Sequence, residues 1–400
     1  MKLVAQEGQF TGEVELPISK SIANRYQVIA ALAKQDLELP NLLPEDVKVL
    51  RDALSSNSAE TNIGMAGTAM RFLTAFYSVQ EGKTVVLTGE ERMKQRPISE
   101  LVEALKTLGV DIEYAEEFGF PPLRIKGKKL NGGEVEISAS VSSQFVSALM
   151  MIGPMMKNGL EIKLKGKILS QPYIELTAIC MRNCGVEVVV GESQISIPFG
   201  TYAVSDLDIE SDWSAASYFY ALAAARPNSK LLLKGLSLKS AQGDSVLVDW
   251  FEKMGVSSTQ KENGVEVCSS DKIDFPSELD FSNHPDLAQT FAFLAATLGK
   301  ELKLTGLDNL QLKETDRIAA LKTELEKLGI SVTVEGNAMS VSGSVLAKEV
   351  RIDTYNDHRM AMSAAVLSYI IPTEIEHPSV VVKSFPTFWP QLQDIGFKID

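Results

Sequence analysis

Four hundred residues, 45% hydrophobic and 23% charged, exceed what one hydrophobic core usually serves, and the composition excludes wholesale disorder, a fibrous repeat and a small disulfide scaffold. Thirty-nine Lys and Arg against 52 Asp and Glu give a net charge of −13, which argues against a general nucleic-acid binder with its basic face. Three cysteines (Cys180, Cys184, Cys268) cannot staple so long a chain, and no further ligands lie near the first two, so they read as packed thiols of a reducing compartment rather than a zinc site. The opening MKLVAQEGQF lacks a signal-peptide core, and the most apolar runs, 218–225 and 291–296, fall far short of the ~20 residues that span a bilayer. A cytoplasmic location is expected.

In chain order, Ala-rich helices apolar on nearly all faces are predicted to open near Ile22, Thr68, Ser142, Asp212, Pro285 and Asp357; such helices are normally buried. In step with them run amphipathic helices, each followed by Gly (Gly109, Gly185, Gly255, Gly329, Gly396) and a short β-branched strand. Glycine there suits the left-handed residue that ends a helix. A weaker helix, 47–55, belongs to the first unit. TVVLTG, EVEIS, LEIKLKG, KLLLKG, ELKLTG and SVVVKSF read as strands. Six units of about 70 residues therefore tile an α/β chain. Three units could close around three buried helices, giving two similar domains. The crossovers are expected near 13–16 and 205–210, so that 1–14 with 209–400 form one domain and 15–208 the other. The first strand would then join the last three units.

Polar residues collect at the starts of the six buried helices: Ser19-Lys20-Ser21, Ala66-Gly67-Thr68, Ser142-Ser143-Gln144, Ser211-Asp212, His284-Pro285-Asp286 and Asn356-Asp357-His358-Arg359. Ser, Thr, Asp and Asn are ordinary caps. Caps do not explain Lys20, Arg25, Arg71 and Arg359, whose charge opposes the helix dipole in the first turns unless a bound anion answers it. Further cations cluster in RMKQRP (92–97) and KETDR (313–317). If KETDR lies on a helix, Lys313 and Arg317 share a face beside Glu314, either as a solvated helix start or as a carboxyl group poised for proton transfer. Asp286 has the same ambiguity between cap and base. His358 reads as a core hydrogen-bonder, His284 and His377 carry no distinctive signal, and Trp213, Trp250 and Trp389 read as packing residues. Nucleotide-binding glycine motifs, a nucleophile elbow and metal-ligand spacing are absent, so the positive charge must come from side chains.

Ten stretches in this order resemble the 3-phosphoshikimate 1-carboxyvinyltransferase (EPSP synthase) family across nearly the whole chain: SKSIANR, AGTAMR, LTGEERMKQRPI, SSQF, SQPYI, SDWSAASYF, NHPDLAQT, KETDR, TYNDHRMAM and VKSFP. The resemblance implies two domains, each of three βαβαββ units around buried helices in an inside-out α/β barrel, with the site in the cleft between them. It implies transfer of the enolpyruvyl group of phosphoenolpyruvate to the 5-hydroxyl of shikimate 3-phosphate by addition and elimination, on the route to chorismate and the aromatic amino acids. No cofactor or metal is implied, the partners are the two small molecules rather than nucleic acid or membrane, and a monomer is expected.

By matching position, the resemblance implies that Ser142, Ser143 and Ser170 hold the phosphate of shikimate 3-phosphate, Ser21 and Arg25 its carboxylate, and Gln144 and Tyr173 its ring. Lys20, Asp286, Asn309 and Lys313 would complete that site. Phosphoenolpyruvate would take Lys20, Gly67, Arg96, Gln144, Arg317, Arg359 and Lys383. Glu314 is the implied proton donor and Asp286 the implied base, with Lys313 and Lys20 beside the reacting atoms. The chain departs from the usual family pattern at Ile18, Met65, Phe72 and Ser211, which replace Gly, Asn, Pro and Gly, and at Ala23, which replaces Ser. The related UDP-N-acetylglucosamine enolpyruvyl transferases typically carry Cys or Asp ahead of an Arg-Pro pair, whereas GEERMKQRP has no Cys. A non-catalytic binder of the same fold would have had little reason to keep Lys20, Arg96, Asp286, Glu314, Arg317, Arg359 and Lys383.

Overall fold

A computed structural model describes residues 1–138, 142–205, 207–272 and 274–400. Val141, just ahead of the third buried helix, and Asp206, inside the second expected crossover, lie outside the described residues. The chain divides into two compact units, Met1–Ser19 with Glu210–Asp400, and Lys20–Ile209. Each has its own hydrophobic core.

One topology recurs in every sheet. In the second unit, Glu60–Asn62 pairs in parallel with Thr84–Thr88, which pairs antiparallel with Leu123–Lys126, which pairs antiparallel with Asp111–Tyr114. Gly133–Ser138, Leu160–Lys165, Gln194–Ile197 and Val189–Val190 repeat that order. The parallel step needs a crossover, and a buried helix supplies it. The first unit holds three such sheets. Two of them borrow from the chain's start: Thr11–Val14 lies parallel to Lys230–Lys234, and Lys2–Ala5 sits between Thr373–Ile375 and Phe397–Ile399. Thus the first strand does join the last units.

The predicted buried helices form at Lys20–Ala33, Gly67–Ser78 and Ser143–Ile152 in the second unit, and at Trp213–Ala225, Ala288–Leu298 and His358–Ala364 in the first. All thirteen residues of Trp213–Ala225 are buried. Its small side chains let the neighbouring helices approach closely. Where the three helices of the first unit meet, a string of hydroxyls joins them: Ser217 Oγ lies 3.0 Å from Thr290 Oγ1, which lies 3.3 Å from Ser363 Oγ. Each partner is 73 residues from the last, so equivalent positions of successive repeats touch. The five predicted helix-ending glycines all have positive φ, from 80° to 111°.

Three local expectations change. SVVVKSF is not a strand: Pro378–Lys383 is a 3-10 helix. Left-handed His377 turns the chain, Pro378 has no N–H for a ladder, and Thr373–Ile375 already occupies the place in the sheet. KETDR does not lie on a helix: Asp316 caps the helix Arg317–Glu326 through the N–H groups of Ile318 and Ala319, leaving Lys313 and Glu314 in the lead-in. The first repeat is abbreviated. It has the helices Lys20–Ala33 and Glu45–Ser55 but, among the described residues, no four-stranded sheet of its own, consistent with its short interval.

Candidate active site

In the first unit the ends of separate elements bring ionised side chains together. Arg317, first residue of its helix and 1% exposed, points every nitrogen at a carboxylate. Nε donates to Asp357 Oδ2 at 2.7 Å, Nη1 to Asp286 Oδ1 at 3.0 Å and Nη2 to Glu314 Oε2 at 3.1 Å. Burial alone would lower the pKa of this guanidinium; Asp357, Glu314 and Asp286 outweigh it and hold the pKa above its ordinary value.

Each carboxylate has a second cation or donor. Asp357 caps the helix His358–Ala364 by accepting the Arg359 N–H at 2.8 Å. Asp286 sits in a 3-10 turn, Pro285–Leu287; its Oδ2 accepts from Arg359 Nη2 at 2.7 Å, and Lys313 Nζ lies 3.8 Å from its Oδ1. Glu314 Oε1 is 3.2 Å from Lys383 Nζ. Arg359 also donates to the Tyr218 hydroxyl at 3.3 Å, and burial pushes that phenol up to about 12. Asn309 is half-buried where the 3-10 turn Leu310–Leu312 leads into Lys313. Six residues singled out in the sequence, Asp286, Lys313, Glu314, Arg317, Arg359 and Lys383, therefore share one cluster. Asp357 and Tyr218 complete it. The sequence reading had taken Asp357 only as a helix opening; its fully buried setting is what reveals it.

The second unit uses its cations in two ways. Arg25 is buried. It donates to Thr177 Oγ1 (2.7 Å), Ser21 O (2.7 Å), Ser147 Oγ (3.2 Å) and Tyr173 O (3.0 Å), which engages four of its five N–H groups. Burial holds its pKa below the usual arginine value. Arg71 donates to Gly67 O and Pro97 O. Both arginines thus donate to carbonyl and hydroxyl oxygens of their own unit. Lys20 pairs with Asp46 at 3.0 Å, a partner the sequence reading did not single out.

Arg96 differs. It is 6% exposed, yet its Nε and Nη1 have no hydrogen-bond partner. Its guanidinium lies against Gly67, the first residue of a helix, so closely that a Cβ there would sit 2.5 Å from Nη1. A side chain at that position would make the guanidinium shift. Ser142 caps the helix Ser143–Ile152 by accepting the Gln144 N–H at 3.2 Å, and the Gln144 side chain donates to Thr68 Oγ1 at 3.3 Å. Ser143 is buried, and Ser170 opens the helix Gln171–Asn183 in a left-handed conformation, φ 56°. Tyr173 is half-buried one turn into that helix. Cys180 and Cys184 are free and buried, and burial pushes their thiols up to about 12 and about 11, which keeps them inert.

Asp357→Ala would leave Arg317 with less counter-charge in a sealed site and would remove a helix cap. We expect a loss of about 3–5 kcal/mol of stability in urea unfolding. A loss under about 1 kcal/mol would show that Asp357 is not what neutralises Arg317.

The sequence profile described as EPSP synthase (3-phosphoshikimate 1-carboxyvinyltransferase) matches residues 47–392. A 3-phosphoshikimate 1-carboxyvinyltransferase of Bacteroides fragilis (strain YCH46) is 43% identical over 403 residues, 99% of this chain and 98% of the relative. One of Marinomonas sp. (strain MWYL1) is 37% identical, over 96% and 97%. The structure of an EPSP synthase from Acinetobacter baumannii superposes with a TM-score of 0.77 at 21% identity over the full length of both chains, and so shares the fold. With most of its length matched by the profile and a relative identical at more than four positions in ten, this chain belongs to the EPSP synthase family.

Proposed function

We propose that the chain transfers the enolpyruvyl group of phosphoenolpyruvate to the 5-hydroxyl of shikimate 3-phosphate, releasing inorganic phosphate, with the residues named from the sequence in the roles given there. Family membership supports the reaction. The observation that carries the residue assignment is the buried cluster in which Lys313, Arg317, Arg359 and Lys383 surround Asp286 and Glu314.

Both substrates are multiply anionic and repel each other. Arg317, Arg359 and Lys383 in the first unit, and Lys20, Gly67, Arg96 and Gln144 in the second, take phosphoenolpyruvate. The two unpartnered buried nitrogens of Arg96 support that assignment, because a desolvated guanidinium calls for an anion. Ser142, Ser143 and Ser170 take the phosphate of shikimate 3-phosphate, Ser21 and Arg25 its carboxylate, and Gln144 and Tyr173 its ring. Lys20, Asp286, Asn309 and Lys313 surround its reacting end. Two three-repeat domains, 1–14 with 209–400 and 15–208, a monomeric cytoplasmic protein and no nucleic-acid partner complete the reading.

In the addition step Asp286 accepts the 5-hydroxyl proton as the oxygen bonds to the enol carbon, and Glu314 donates a proton to the methylene carbon. In the elimination step ionised Glu314 takes a proton back from that methyl carbon as the carbon–oxygen bond to phosphate breaks; the double bond is restored, and the phosphate leaves with the proton that Asp286 had accepted. Protonation at carbon makes the adjacent carbon cationic, so the proton must arrive only when the nucleophile is in place. The ion pairs of Glu314 suggest how. Arg317 and Lys383 favour its ionised form. An incoming anion that engages those cations removes that bias, and Glu314 then takes up a proton. Holding the attacking oxygen near the enol carbon can lower the barrier by about 7–11 kcal/mol.

Purified protein should release phosphate from phosphoenolpyruvate only when shikimate 3-phosphate is present. Release driven by UDP-N-acetylglucosamine, or binding of both substrates without turnover, would reject the reading. Glu314→Ala should lower kcat by ~10²–10⁴ while shikimate 3-phosphate still binds; near-normal turnover would remove Glu314 as proton donor. In the presence of a shikimate 3-phosphate analogue lacking the 5-hydroxyl, calorimetry in buffers of unlike ionisation enthalpy should show more protons taken up per phosphoenolpyruvate bound by the unaltered protein than by Glu314→Gln. Equal uptake would break the link between anion capture and protonation.

A further inference from the structure

Glu324 lies in the last turn of the helix Arg317–Glu326 and is fully buried. A position sealed so completely is ordinarily apolar. Here both carboxylate oxygens have work. Oε1 accepts from the Tyr355 hydroxyl at 2.6 Å. Oε2 accepts from the Asp353 N–H at 3.2 Å and pairs with Lys327 Nζ at 2.6 Å.

Residues 353–357 lead from the strand Val350–Ile352 to the helix His358–Ala364. Tyr355 and Asn356 in this turn are both left-handed, with φ of 51° and 56°, a conformation that side chains with a Cβ disfavour and that surrounding contacts must impose. The Tyr355 N–H donates to Asp353 Oδ1 at 2.9 Å, and the Asp357 N–H to Thr354 O at 2.8 Å. The next residues are Asp357, which holds Arg317, and Arg359, which holds Asp286. Arg317 and Glu324 are seven residues apart, close to two helical turns, and so project from one face. One helix therefore grips the same turn twice: Arg317 at Asp357, and Glu324 at Asp353 and Tyr355.

We infer that Glu324 is a positioning residue for the reaction: through Tyr355 and Asp353 it sets the left-handed turn that places Asp357 and Arg359 against Arg317 and Asp286. The inference rests on the reading above that Arg317 and Arg359 take phosphoenolpyruvate. Without the grip of Glu324 the turn relaxes, the two arginines lose their common alignment, and capture of that substrate weakens before the other is affected.

Tyr355→Phe removes one hydroxyl and leaves the ring in place, whereas Glu324→Ala removes the contacts to both Tyr355 and Asp353. Each should raise the KM for phosphoenolpyruvate by about 5–30-fold, with a smaller change in kcat and shikimate 3-phosphate binding within about twofold of the unaltered protein. Glu324→Gln, which keeps an oxygen for the Tyr355 hydroxyl, should restore most of the loss. If Glu324→Ala does not fold, Tyr355→Phe alone decides. A Tyr355→Phe protein with a lowered melting temperature but an unchanged KM would reduce the contact to a structural one and overturn the inference. Arg359→Lys is the control. If it raises the KM and Tyr355→Phe does not, this inference fails while the substrate assignment stands; if neither moves it, the assignment itself fails and takes the inference with it.

Discussion

A guanidinium sealed from water must be answered on all sides, and the first unit is arranged around meeting that demand at Arg317. Unpaired, such a charge costs several kcal/mol. Three carboxylates meet it, and each comes from a different segment: Asp286 from a 3-10 turn, Glu314 from the lead-in to a helix, Asp357 from a helix cap. Those carboxylates then fix Lys313, Arg359 and Lys383. The outcome is four cations around three carboxylates in a chain whose overall charge is −13. Local positive excess inside an acidic protein is a device for a small polyanion, because donors fixed in advance need not reorganise when it arrives.

The repeat explains why these groups meet. Ser217, Thr290 and Ser363 occupy one level of the three buried helices and touch at intervals of 73 residues. Four residues earlier, the same spacing puts Trp213, Asp286 and Arg359 at equivalent positions. The repeat thus delivers the backbone positions, and the chemistry comes from breaking the repeat at that level. Trp213 is buried and donates its indole N–H to Glu210, while Asp286 and Arg359 form an ion pair. Three copies of one side chain there would have given packing or repulsion, but no site.

Much of this architecture was legible in the sequence because its signals are local. Helices apolar all round must be buried, and glycines at the ends of amphipathic helices mark a left-handed residue; both follow from a few neighbouring residues. The misread segments are those where a nearby residue overrode the pattern. Pro378 and left-handed His377 turned a β-branched run into a 3-10 helix, and with Asp316 as its cap a helix begins at Arg317, four residues later than KETDR suggested. Counting cations at helix starts does not tell their settings apart. Arg25 and Arg71 are satisfied by oxygens of the protein, whereas Arg96, drawn from a segment outside the helices, is the one whose Nε and Nη1 remain open.

What sequence could not supply is the identity of partners separated along the chain. Asp46 for Lys20, Asp357 for Arg317 and Tyr218 for Arg359 all carry innocuous local signatures. Glu324 is the sharpest case. In sequence, Glu324 followed three residues later by Lys327 reads as a solvated ion pair on a helix surface. In the fold, Lys327 is 41% exposed while Glu324 is completely enclosed. The return of the chain at 353–357 covers the carboxylate and supplies a hydroxyl and an N–H that a solvated pair would not need. A charged residue on the buried face of a helix, three positions after Leu321 and four before Leu328, is therefore a sign of work done at a distance along the chain.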